Sequence, residues 1–122
     1  MAEASPVEGL DFEAALVQYR MEKTYIRILT VFLRSVPGIL EKLVAFVDAG
    51  GSDGLNEYIT TVHGLKGSSY GVQANYLGEL AKDLEFAGKE GNVAFILENN
   101  ARLIEETNAL LARLKVYLDA QA

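Results

Sequence analysis

The chain holds a single histidine, within the run Val62-His63-Gly64-Leu65-Lys66-Gly67-Ser68-Ser69. With an ordinary pKa of about 6.5, an accessible imidazole is largely neutral at pH 7 and is a competent nucleophile. On a helix, Lys66 at i+3 and Gly67 at i+4 would neighbour the ring one turn on. A helical side chain leans toward the N-terminus and covers the turn before it. A large residue at 67 would therefore lie over His63, whereas glycine leaves the ring uncovered. Gly64 clears the flank, and Ser68 and Ser69 keep the rest of the turn small. Each glycine costs roughly 0.5–1 kcal/mol relative to alanine inside a helix. A purely structural helix would take alanine, leucine or glutamate here. Lys66 adds a compact cation suited to an anion held on the imidazole. Nucleophile, cation and open access together make a phosphoryl-accepting histidine. The plainer alternative, a boundary histidine beside a solvated lysine, leaves the small residues unexplained.

Other chemistries fit less well. With one histidine and no cysteine, a catalytic zinc site would rest mainly on carboxylates. Ser68 and Ser69 do not stack over His63, and no nucleophile-elbow pattern surrounds a serine. The glycines follow no strand, so they do not form a nucleotide-binding loop, and no ATP-binding motif points to a kinase.

The elements that must position these residues are helical. Turn signals fall at Gly50-Gly51-Ser52-Asp53-Gly54, at Tyr70-Gly71-Val72-Gln73 and at Gly88-Lys89-Glu90-Gly91. A short first helix is expected from Asp11, its N-cap, to about Tyr19. A long second helix follows from about Met21 to Asp48. Pro37 is expected to kink it rather than end it, because apolar spacing resumes at Ile39, Leu40, Leu43, Val44 and Val47. The third spans about Asp53 to Ser69 with an apolar stripe of Leu55, Tyr58, Ile59, Val62 and Leu65. His63 falls about 100° from the centre of that stripe, on its shoulder, and should be at least partly exposed. The fourth opens near Asn75 and uses Leu77, Leu80, Ala81 and Leu84. The fifth starts at Asn92, a good N-cap, and runs to the C-terminal region. No period-two run reads as a strand. Short connections make neighbouring helices antiparallel, so the fold class is all-α. It is an up-down antiparallel four-helix bundle with an additional short N-terminal helix.

At 122 residues, half of them hydrophobic, residues 1–122 are expected to form a single domain with a sizeable core. The net charge of −6 disfavours nucleic acid or an anionic membrane as the main partner. Met1-Ala2-Glu3-Ala4-Ser5-Pro6 does not read as a signal peptide. Arg27, Arg34, Glu41 and Lys42 interrupt the longest apolar candidate for a membrane span. A cytoplasmic monomer is the expectation.

The run His63-Gly64-Leu65-Lys66-Gly67-Ser68-Ser69 resembles the signature of histidine phosphotransfer (HPt) domains, roughly H-x-L-K-G-S-S. Leu77, Leu80, Leu84-Glu85 and Gly88 are similar to the pattern of that family's following helix. The resemblance covers nearly the whole chain. It implies a phosphoprotein of two-component signal transduction, a phosphorelay intermediate rather than an enzyme. Such a domain accepts a phosphoryl group from the aspartate of one receiver domain and passes it to another. By the same resemblance His63 is the phosphoacceptor, most often through Nε2. Lys66 stabilises the phosphoryl oxygens, Gly67 gives clearance, and Glu85 accepts the Nδ1 proton and orients the ring. The implied partners are response-regulator receiver domains and a hybrid sensor kinase. They would dock on an apolar patch for which Leu16, Val17, Met21 and Tyr25 are the candidates. No cofactor is implied for this chain, and Mg²⁺ is expected on the receiver. One departure is Gln73, which stands where the family commonly has a turn glycine. Two alternatives remain: a helical adaptor that binds receivers without transfer, and a small enzyme with His63 as general base, which would need a concave apolar pocket beside it.

Overall fold

A computed structural model describes residues 5–121. Residues 1–4, part of the segment read for a leader, and residue 122 lie outside it. Five helices follow in order: α1 (Phe12–Tyr19), α2 (Glu22–Asp48), α3 (Leu55–Gly71), α4 (Asn75–Lys89) and α5 (Val93–Ala120). There is no strand among the described residues. Helices α2 to α5 form an antiparallel bundle in which α2 contacts α3 and α5, and α4 contacts the same two helices. The all-α architecture expected from the periodicity is the one observed.

Local chemistry explains most of the boundaries. The Asp11 side chain accepts the amide of Ala14 and caps α1, and Asn92 does the same for Phe95 at the start of α5. Helix α2 runs unbroken through Pro37. Three boundaries differ from the sequence reading. Gly54 has φ +80° at the N-cap of α3, so that helix opens at Leu55 rather than Asp53. Helix α3 continues through Gly71, and the turn that follows is reversed by Gln73 with φ +66°. Helix α4 continues through Gly88 to Lys89, and the turn lies at Gly91.

Gly88 is therefore helical, and its small size serves packing. A Cβ at 88 would come within 2.6 Å of the Ile59 side chain, and one at 78 within 2.7 Å of the Tyr70 ring. With Ala81 also buried, α4 presents a nearly flat face, and α3 approaches it more closely than side chains of ordinary size would allow.

The core draws on every helix, with Tyr25, Leu29, Leu43, Val62, Leu65, Leu77, Ile96, Leu103 and Leu114 excluded from solvent. Each buried leucine contributes roughly 1.5–3 kcal/mol by its removal from water. One polar chain crosses this core. The Tyr58 hydroxyl donates to Asn100 Oδ1 at 2.8 Å, and Asn100 Nδ2 donates to the Leu43 carbonyl at 3.2 Å, joining α3, α5 and α2.

Helix α1 closes one end of the bundle. Phe12 packs edge-on against Tyr25 and Tyr117. The hydroxyls of Tyr19 and Tyr25 donate to the carbonyls of Gly71 and Val72, satisfying acceptors that the end of α3 leaves without helical partners.

Candidate functional site

Helix α3 carries His63 on the shoulder of its buried stripe. Tyr58, Val62, Leu65 and Ser69 face inward, and the histidine side chain is 63% exposed. Added Cβ atoms at Gly64 and Gly67 would meet nothing within 4 Å. The space above the ring is therefore open, and a single methyl at 67 would not fill it. An added methyl at 67 would touch no neighbouring atom, so only a longer side chain there could reach over the ring.

The close approach of α4 brings Glu85 against this surface. His63 Nδ1 lies 2.7 Å from Glu85 Oε2, and Lys66 Nζ lies 2.6 Å from Glu85 Oε1. Glu85 is only 4% exposed, so it is not a solvated surface glutamate. Burial alone would push its carboxyl up. Hydrogen bonds from Lys66, His63 and Lys89 outweigh that effect and hold it at about 2. An ionised Glu85 can only accept, so Nδ1 is the protonated ring nitrogen in the neutral imidazole. Among the described residues Nε2 has no hydrogen-bond partner, and it is left as the lone-pair nitrogen.

Lys89 is the member of the cluster that sequence reasoning missed. Its Nζ lies 3.2 Å from Glu85 Oε2, the same oxygen that faces the ring. The Glu85–Lys89 spacing of i, i+4 was a readable signal for an ion pair. Grouping Lys89 with the following turn concealed it. Two ammonium groups thus share one carboxylate, and the site carries a local excess of positive charge on a protein of net charge −6.

The docking candidates divide. Leu16, Val17 and Met21 are exposed, at 38%, 77% and 59%. Tyr25 is fully buried with its hydroxyl on Val72, so a receiver cannot touch it; its apolar ring belongs to the core. Gln73 tolerates its left-handed backbone while donating through Nε2 to Gln18 Oε1 at 2.7 Å.

A cleft of about 730 Å³ is lined by residues of the N-terminal segment, α1, the α3–α4 turn and the start of α4, including Asp11, Leu16 and Tyr76. Neither it nor four further clefts among the described residues takes in His63. Among the described residues no three acidic or histidine side chains converge as a metal-binding group, and no helix is long and apolar enough to cross a membrane.

No curated protein and no solved structure matches the chain. The sequence model of one family, the Hpt domain, matches residues 27–120, which span α2 from its sixth residue onward and all of α3, α4 and α5. That match covers most of the chain and includes both helices that build the His63–Glu85 pair, so the chain belongs to the Hpt domain family, whose members carry phosphoryl groups on histidine in phosphorelays and interact with receiver domains.

Proposed function

We propose that His63 accepts a phosphoryl group from the aspartyl phosphate of a receiver domain and passes it to a second receiver. The observation that carries this reading is the Glu85 contact on Nδ1, which leaves the Nε2 lone pair directed away from α4 and into an uncovered space. Attack by Nε2 forms the N–P bond in line with the breaking P–O bond, whose electron pair returns to the receiver's carboxylate. The ring becomes positively charged as the bond forms. Its Nδ1–H already faces the Glu85 carboxylate, so this charge develops against a fixed anion and no proton has to leave in the step. Return transfer to another aspartate reverses the same events.

The protein contributes positioning and charge, which dominate phosphoryl transfer. Lys66 keeps Glu85 ionised and in place. The Mg²⁺ that neutralises the phosphoryl group belongs to the receiver's acidic site in this reading. Leu16, Val17 and Met21 supply the apolar docking patch, and the carrier works as a monomer in the cytoplasm, where it meets receiver domains.

The test is transfer from phosphorylated receivers, following acid-labile phosphate on the wild type and on His63→Gln. Label on the wild type alone is the expected result. Label on both proteins would refute the assignment of His63. Binding of a receiver with no label on the wild type would favour the adaptor.

A further inference from the structure

Glu85 holds two cations, and they are held differently. Lys66 is three-quarters buried and contacts Oε1 at 2.6 Å. Lys89 is 61% exposed and contacts Oε2 at the longer distance of 3.2 Å, sharing that oxygen with the His63 ring. If Lys89 left, Glu85 would keep Lys66 and the imidazole N–H as partners. If Lys66 left, a buried carboxylate oxygen would lose its ammonium. Lys89 is thus the ammonium whose departure costs least. It stands one carboxylate oxygen from the ring, at the end of a four-carbon stem that reaches several ångströms.

Resting on the reading of His63 as phosphoacceptor, we propose that Lys89 is a phosphoryl-binding residue, released from Glu85 to pair with the phosphoryl oxygens once Nε2 is modified. The phosphoryl group brings negative charge onto a surface where two ammonium groups already share one carboxylate. Lys66 remains the counter-ion of Glu85, and Lys89 becomes the counter-ion of the phosphohistidine. A purely structural role for Lys89 also exists, since a cation in the last turn of a helix complements its dipole. The two roles differ in whether the phosphoryl group senses the ammonium.

The experiment loads the full chain with phosphoramidate. Nε2 attacks phosphorus, the N–P bond of the donor breaks and ammonia leaves. The ³¹P resonance of the phosphohistidine is then followed against pH, which reads the second ionisation of the phosphoryl group. A paired ammonium favours the dianion and holds that ionisation at lower pH. Lys89→Ala is expected to raise its midpoint by roughly half a unit, the scale of one exposed ion pair. Lys89→Arg, which keeps the charge, is expected to stay near the wild type. A midpoint unchanged in Lys89→Ala, or a shift seen only in Lys66→Ala, would overturn the assignment. A folded wild type that gives no phosphohistidine signal, under conditions that load another Hpt domain, would overturn the reading beneath it and this inference with it.

Discussion

Acid titration of stability isolates the Glu85 cluster more directly than activity does. Glu85 has its carboxyl held at about 2, against an ordinary value of 4.5. A depressed folded-state value means that the unfolded chain binds the proton first. The stabilisation is therefore complete above the unfolded value and is lost as pH falls from about 4.5 toward 2. The full difference corresponds to roughly 3 kcal/mol, of which about 2 kcal/mol is gone by pH 3. Those are upper figures, because Lys89 is solvent-exposed and its share is screened. Against a typical domain stability of about 5–15 kcal/mol this is a large part. The perturbation is Glu85→Gln, which keeps an acceptor for Nδ1 and removes the charge. Urea unfolding of both proteins at pH 6, 5, 4 and 3 gives the measurement. The stability advantage of the wild type over the variant is expected to shrink by up to about 2 kcal/mol between pH 6 and pH 3, with most of the loss below pH 4.5. A gap that stays constant across that range would refute the reasoning, since it would mean that Glu85 is not held ionised by its partners.

Two other substitutions test the geometry. Gly67→Ala is expected to gain up to about 1 kcal/mol of stability from helix propensity and to retain phosphoryl transfer, because the added methyl meets nothing within 4 Å. Gly67→Leu should fold as well and transfer at least tenfold more slowly, which single-turnover transfer from a phosphorylated receiver would measure; equal rates would remove the access argument. Gln73→Gly is expected to change stability by less than about 1 kcal/mol in thermal unfolding, since relief of the left-handed strain offsets the lost Gln18 contact and the greater freedom of the unfolded chain.

The site was more legible in the sequence than the packing that assembles it. The exposure of His63 follows from its angle to the apolar stripe, and helical spacing puts Lys66 one turn from the ring. Glu85 lies on another helix, so its partnership with His63 came only through family resemblance; no local pattern encodes a contact between residues 63 and 85. The close helix packing at Gly88 was hidden for a related reason. A glycine near an element's end reads as a stop signal, and only the position of Ile59 reveals that it accommodates a neighbouring helix. Tyr25 has the chemistry of a docking residue, but its hydroxyl finds a partner at the end of α3, so it belongs to the interior.

The buried chain from Tyr58 through Asn100 to the Leu43 carbonyl has a consequence for sliding. In a bundle cored by leucine and valine, one helix can shift past its neighbours by a turn, about 5.4 Å, and still find apolar company. Such a shift would strand an amide and a phenol inside the core, at a cost of roughly 1–3 kcal/mol for each unsatisfied group. His63 lies on the same helix as Tyr58, so the hydrogen bond that prevents slippage also sets how far along the bundle the imidazole stands. A one-turn error would carry the ring away from Glu85 and the ammonium groups altogether. The polar chain thus serves as an alignment mark, and the chemistry of the exposed histidine depends on a contact that no solvent molecule reaches.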